Sequence, residues 1–172
     1  MHTLIQHVAR EFQVVAEAID GDALHVSGLA RPIVMHECVQ RSFLNRTTVV
    51  QFEYAFANTP AGECEVFLAH TGAITRTGVQ ARVRRGDATM MRTLLRDAGL
   101  LEQLMMLDFT EFVLVQDSAG WRTHTTQMGA SWVNMAFPRT SRYVPLGRAQ
   151  VDALVNTLRR LEALLCRAEV QA

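Results

Sequence analysis

The stretch Thr48-Val49-Val50-Gln51-Phe52-Glu53-Tyr54-Ala55-Phe56-Ala57 decides the fold class. Val50, Phe52, Tyr54 and Phe56 fall on one side of an extended chain, and Val49, Gln51, Glu53 and Ala55 on the other. That period of two fits a strand with one apolar face. Asn58-Thr59-Pro60-Ala61-Gly62 then reads as a turn. The pattern continues with Cys64, Val66 and Leu68 against Glu65, Phe67 and Ala69, and with Val79, Ala81 and Val83 against Gln80, Arg82 and Arg84. The three segments predict an antiparallel meander with one wet face, from which Arg82 and Arg84 project.

Upstream, Leu4, Ile5, Val8, Phe12, Val15 and Ile19 form a helical stripe stopped by Asp20-Gly21-Asp22, although its second half also suits a strand. Short extended pieces follow around Leu24 to Val26 and Ile33 to Cys38, broken by Gly28 and Pro32. Downstream, Asp87 is placed to N-cap a helical run from Ala88 to Met106, which Gly99 could divide. Phe109 to Gln116 and Trp121 to Gln127 read as a hairpin around Asp117-Ser118-Ala119-Gly120, and Ser131 to Phe137 as a further strand. Arg148 to Arg167 carries Val151, Leu154, Val155, Leu158, Leu161 and Leu165 on one stripe, the clearest helix in the chain. The expected order is a helix, three to five strands, a helix, two or three strands and a helix. It describes a single α+β domain over residues 1–172, with helices on one side of an antiparallel sheet.

All seventeen basic residues counted as Lys+Arg are arginine. Without lysine there is no Schiff-base amine, no P-loop and no Ser-x-x-Lys hydrolase. Arginine stays charged and binds carboxylate or phosphate through a rigid fork, so it docks partners and does not shuttle protons. Codon bias in a GC-rich bacterial genome also accounts for the missing lysine. Seventeen acids balance the arginines, which leaves no broad field for nucleic acid or a membrane surface. The three cysteines, Cys38, Cys64 and Cys166, are widely spaced and odd in number, against a disulfide scaffold or zinc knuckle. The N-terminus lacks the pattern of a signal peptide and no stretch is long and apolar enough to span a membrane, so a cytoplasmic protein is expected.

His36-Glu37-Cys38 is the one place where three reactive side chains adjoin. On a strand His36 and Cys38 share one face and Glu37 takes the other, which permits an activated thiol, but no oxyanion-hole glycine cluster accompanies it and an ordinary half-buried cysteine is the simpler reading. The six histidines show no metal-binding spacing, and neither a cofactor nor a catalytic residue is assigned. Arg122 and His124 share a strand face with Thr126, which suits an anionic or polar ligand, or simply solvent. Thr71 to Gly78 is rich in Thr and Gly but lacks the helix that follows a phosphate-binding turn. The arginine-dense stretch from Arg82 to Arg96 has no aromatic residue for stacking, which argues against nucleic acid and for an acidic protein segment.

Leu94-Leu95-Arg96-Asp97-Ala98-Gly99-Leu100-Leu101, leading to Leu107-Asp108-Phe109-Thr110-Glu111-Phe112-Val113-Leu114, together with the element order, resembles the small class I chaperones of type III secretion. The resemblance implies that the apolar middle helix forms a homodimer interface and that a secreted client wraps around the sheet and helix faces. On this reading the chain is a non-enzymatic, protein-binding domain. Leu101, Leu104, Met105 and Met106 would form its interface helix, and Arg82, Arg84, Arg122 and His124 its partner face. The alternative is a small-ligand protein or modest enzyme with a pocket between sheet and helices.

Overall fold

The computed structural model describes residues 4–43, 45–56, 62–72, 75–87 and 89–170, with side chains through 167. The predicted turn at Asn58 to Ala61 lies outside these residues, as do Ala73 and Ile74 of the Thr/Gly-rich stretch and Ala88.

The first stripe divides. Helix α1 spans Leu4–Phe12, and the chain then extends into β1, Ala16–Asp20, which pairs antiparallel with β2, Ala23–Val26. Val14 and Val15 are β-branched, so the sequence from residue 13 onward loses helical preference just where the period changes. Strands β3, Ile33–Arg41, and β4, Asn45–Ala55, form the next hairpin. Then come β5, Cys64–Thr71, and β6, Gly78–Arg85. The predicted middle helix is two helices, α2 at Thr89–Leu94 and α3 at Ala98–Met106. The chain ends with β7, Phe109–Asp117, β8, Gly120–Met135, β9, Thr140–Val144, and α4, Arg148–Val170. The α+β class with an antiparallel sheet therefore holds, but six strands rather than at most five precede the middle helices.

The nine strands form one sheet in the order β1-β2-β3-β4-β8-β7-β5-β6, with β9 beside the second half of β8. Every neighbouring pair is antiparallel. The expected meander is thus interrupted: the β7–β8 hairpin inserts between β4 and β5. Alternation in a sequence fixes which face a side chain takes, not which strand lies alongside, and β8 offers β4 a longer partner than β5 does.

What reads as two strands, Trp121 to Gln127 and Ser131 to Phe137, is the single long β8 carried through a bulge. Thr126 pairs with Gln51 and Ser131 with Val49, so residues 127–130 stand opposite Val50 alone. Ala130 takes a φ of 52° here. Such an insertion bends a strand and flips which residues face which side. Before the bulge Arg122, His124 and Thr126 point away from the helices; after it, Ser131 and Val133 do.

Val50, Phe52, Tyr54, Phe56, Cys64, Val66, Leu68, Phe112, Leu114 and Trp121 face one way and join buried residues of all four helices in one core. The stripe on α4 packs as its spacing predicts, with Val151, Leu154, Leu158, Leu161 and Leu165 all buried. Thr123 and Thr125 also point into this core, and each hydroxyl donates to a carbonyl of β7, at Val113 and Glu111, 2.9 Å in both cases. Their polar groups are thereby satisfied where an unpaired hydroxyl would be costly.

The break between α2 and α3 falls at Leu95 to Asp97, not at Gly99. Asp97 N-caps α3 by accepting from Leu100 N at 2.8 Å, and Arg160 of α4 holds the same carboxylate through two bonds of 2.8 and 2.6 Å. The Arg160 bonds, then the Leu100 N–H, hold the Asp97 carboxyl down at about 2. A folded value below the unfolded one gives stability that is present above the ordinary carboxylate range and lost as pH falls through it toward 2. Asp97→Ala is therefore expected to lower the melting temperature by a few degrees at neutral pH. The difference from the unaltered protein should shrink in melts run from pH 5 downward; a difference that does not change with pH would mean the Arg160 pair is not formed.

Candidate functional site

The opposite face of the sheet has no helix packed on it among the described residues. Val49 and Val113 are buried there, outside the core cluster. A cleft of about 690 Å³ opens on this face, lined by Gln40 of β3, Phe67 and Ala69 of β5, Arg82 and Arg84 of β6, and Thr110 and Glu111 of β7. Four strands separate β3 from β6 in the sheet, which in a flat sheet would set them some 24 Å apart. For Gln40 and Arg82 to border one cleft, the sheet must curl toward this face, and a bulge such as that in β8 is the kind of feature that bends a strand.

Arg84 lies with its guanidinium carbon 5.8 Å from the centre of the Phe67 ring, and its Nη1 is 3.3 Å from Glu65 Oε1. Turning the Gln80 amide so that its oxygen faces Arg82 lets Arg82 Nη2 donate to it at 2.9 Å, and Arg82 has no carboxylate partner among the described residues. The neighbouring Arg85 pairs with Glu63. Strand β6 ends the sheet and pairs only with β5 among the described strands, so the cleft runs to a sheet edge that presents backbone groups.

Toward the centre of the same face, Glu53 Oε2 lies 3.3 Å from His36 Nε2 and 3.6 Å from His124 Nδ1. This cluster joins three strands, β3, β4 and β8, whose registers set Val34 beside Glu53 and Glu53 beside His124. Among the described residues no three His, Cys, Asp or Glu side chains form a group able to hold a metal ion. Arg122 turns away to pair with Asp117 across the hairpin turn.

The predicted partner residues Arg82, Arg84, Arg122 and His124 thus share one face but not one spot. Arg82 and Arg84 line the cleft, while Arg122 and His124 stand on β8, three strands away. The His36-Glu37-Cys38 triplet is split by the sheet: Glu37 reaches the other side and accepts from Ile5 N of α1 at 3.1 Å. Cys64 donates to Asp87 O at 3.0 Å, and burial, then the Asp87 charge, pushes its thiol up, away from thiolate chemistry. Phe67, Gln40, Glu111 and the Glu53 bridge were not singled out from the sequence. Alternation alone puts Phe67 and Glu53 on the wet faces of their strands, but only the register brings them beside their partners.

Of the predicted interface residues, Leu104 is fully buried in the protein's own core. Leu101 and Met105 are half-buried and Met106 is exposed. The end of α3 is tied down from three directions: His70 Nε2 donates to Leu104 O at 3.0 Å, Arg76 to Leu107 O at 3.1 Å, and Gln150 to Met106 O at 2.9 Å. His70 also stacks on Phe109, with ring centres 4.1 Å apart.

Residues 10–165 match a family described as "Protein of unknown function (DUF3156)". The chain belongs to the DUF3156 family. The matched span of this DUF3156 protein begins within α1 and ends within α4, so it takes in every strand of the sheet and both walls of the cleft. No curated protein and no solved structure matched the chain. No helix among the described residues is long and apolar enough to cross a membrane.

Proposed function

We propose that this protein is a non-enzymatic binding domain that holds an extended, acidic protein segment along β5 and β6, in the cleft of the uncovered sheet face. The observation that carries this reading is the cleft itself: a concave strand surface that joins an apolar floor at Phe67 and Ala69 to Arg82, an arginine without a carboxylate partner among the described residues. A segment laid there could add backbone hydrogen bonds at the β6 edge, set apolar side chains on Phe67 and direct carboxylates at Arg82 and Arg84. The buried residues of the sheet and the four helices cluster as one core, so a small ligand of the alternative reading would have this same open cleft as a candidate site. In a chaperone-like homodimer, α3 would contribute Leu101, Met105 and Met106, since Leu104 is committed to the core.

The test is selection of random peptides displayed on phage against the purified protein, followed by affinity measurement on Arg82→Gln/Arg84→Gln. Both side chains are exposed, so the fold should persist. The expected result is enrichment of peptides that mix acidic and apolar residues, with affinity falling on the order of tenfold for each arginine removed. Equal affinity for the double variant, or selection of a small polar ligand in place of peptides when metabolite mixtures are screened, would overturn the reading.

A further inference from the structure

Two hairpin tips stand side by side at one end of the sheet and carry its most exposed aromatic side chains. The β3–β4 turn closes between Arg41 and Arg46, and the β8–β9 turn between Met135 and Thr140. Because Asn45 pairs with Met135 and Arg46 with Asn134, the two turns are neighbours, and a shallow cleft of about 280 Å³ lies between them. Phe43 is 99% exposed at one tip and Phe137 84% exposed at the other, with Met135 also exposed. Burial in water-free surroundings favours such rings strongly, so two fully presented phenylalanines on adjacent tips call for a partner.

The charged residues on the two turns and beside them in the chain are all of one sign. Arg41 and Arg46 flank the first tip, Arg139 and Arg142 the second, and all four are exposed without an ion pair among the described residues. The sequence has no Asp or Glu between Glu37 and Glu53, or between Asp117 and Asp152. In a chain of zero net charge, the two turns and the strands that carry them thus bring arginines and no acid to the protruding aromatics, and the cleft between them has no acidic lining residue.

We propose that these two tips dock the protein on a bilayer surface containing anionic phospholipid. Phe43 and Phe137 enter the boundary between headgroups and acyl chains, and the four arginines bind lipid phosphates around them. A second copy of the chain fits the patch poorly. A two-fold contact would set the arginines against themselves, and two ring tips offer far less than the roughly 800 Å² per partner of a stable interface. The proposal is independent of the β5–β6 cleft, whose arginines lie on another strand.

Co-sedimentation with vesicles tests it, using equimolar phosphatidylglycerol and phosphatidylcholine beside pure phosphatidylcholine. The unaltered protein should pellet only with the anionic vesicles, and less so as salt is raised. Phe43→Ser/Phe137→Ser should weaken that binding at least tenfold with an unchanged melting temperature, because both rings are already in water. Arg139→Gln/Arg142→Gln should weaken it by roughly fivefold per arginine. The proposal is overturned if the protein stays in the supernatant with anionic vesicles, or if both double variants bind like the parent. It also fails if the protein binds a single-stranded oligonucleotide and no vesicle, or if the phenylalanine changes alter only its oligomeric mass.

Discussion

Gly129→Ala is expected to cost about 3 kcal/mol, and Gly129→Val to abolish soluble expression. Gly129 sits in the β8 bulge, and a Cβ placed on it would lie 2.5 Å from Pro145 O and 2.7 Å from Leu146 Cα. Those neighbours are backbone and cannot rotate aside. They also belong to the segment that leads into α4 and is held from the other side by Glu11 of α1. The Glu11 carboxylate accepts from the Tyr143 hydroxyl, from Leu146 N at 3.2 Å and from Gly147 N at 2.7 Å. Any methyl at residue 129 must therefore push β8 away from the lead-in to α4, or pull that lead-in off Glu11. Gly21→Ala is the control: Gly21 has a φ of 62° but nothing within 4 Å of its Cβ position, so only backbone strain of about 1–2 kcal/mol applies. Thermal melts should show a drop of about 6–12 °C for Gly129→Ala. A drop no larger than that of Gly21→Ala would mean that the bulge does not lie against Pro145.

The second large effect appears at alkaline pH. The chain has two tyrosines, Tyr54 and Tyr143. Burial, and then a hydrogen bond to a carboxylate, Glu162 for Tyr54 at 2.6 Å and Glu11 for Tyr143, pushes both phenols above the ordinary value of 10.0. The phenol is protonated in folded and unfolded chains alike below that value, so stability is intact there. Above it the unfolded chain releases protons that the folded chain retains, and stability falls by about 1.4 kcal/mol per pH unit for each tyrosine. The tyrosinate absorbance of the native protein should therefore stay flat through pH 10 and rise only together with loss of helical circular dichroism. Tyr54→Phe should cost about 1.5–3 kcal/mol at neutral pH by leaving Glu162 short of a partner. A phenol that ionises near pH 10 while the helices remain intact would contradict the Glu162 or Glu11 bond.

These sites show where the sequence was informative and where it was not. The alternation in Thr48 to Ala57 assigned Phe52 and Tyr54 to the core face and Glu53 to the open one, and the stripe in α4 named its buried residues. Both are local periodicities, which a helix or strand must obey whatever its neighbours. Partnership was not legible. Nothing in residues 48–69 signals that β7 and β8 come between β4 and β5, because antiparallel strands recognise one another through side chains brought together only on folding. The bulge escaped for a related reason: the alternation lapses between Gln127 and Ser131, yet backbone pairing resumes beyond Gly129 and makes one strand from two apparent ones. Likewise Leu104 and Met106 look alike on an apolar helix, and the packing of α3 against α4 buries one and leaves the other in water. The open face followed from alternation, whereas its cleft required the curl of the whole sheet.

The most direct test of the central claim is a backbone NMR titration of the isotope-labelled protein with the highest-affinity displayed peptide. Shifts are predicted at Phe67, Ala69, Arg82, Arg84, Thr110 and Glu111, with α3 and α4 unmoved. Shifts centred on Leu101, Met105 and Met106, with β5 and β6 unchanged, would contradict it and assign binding to the helical side.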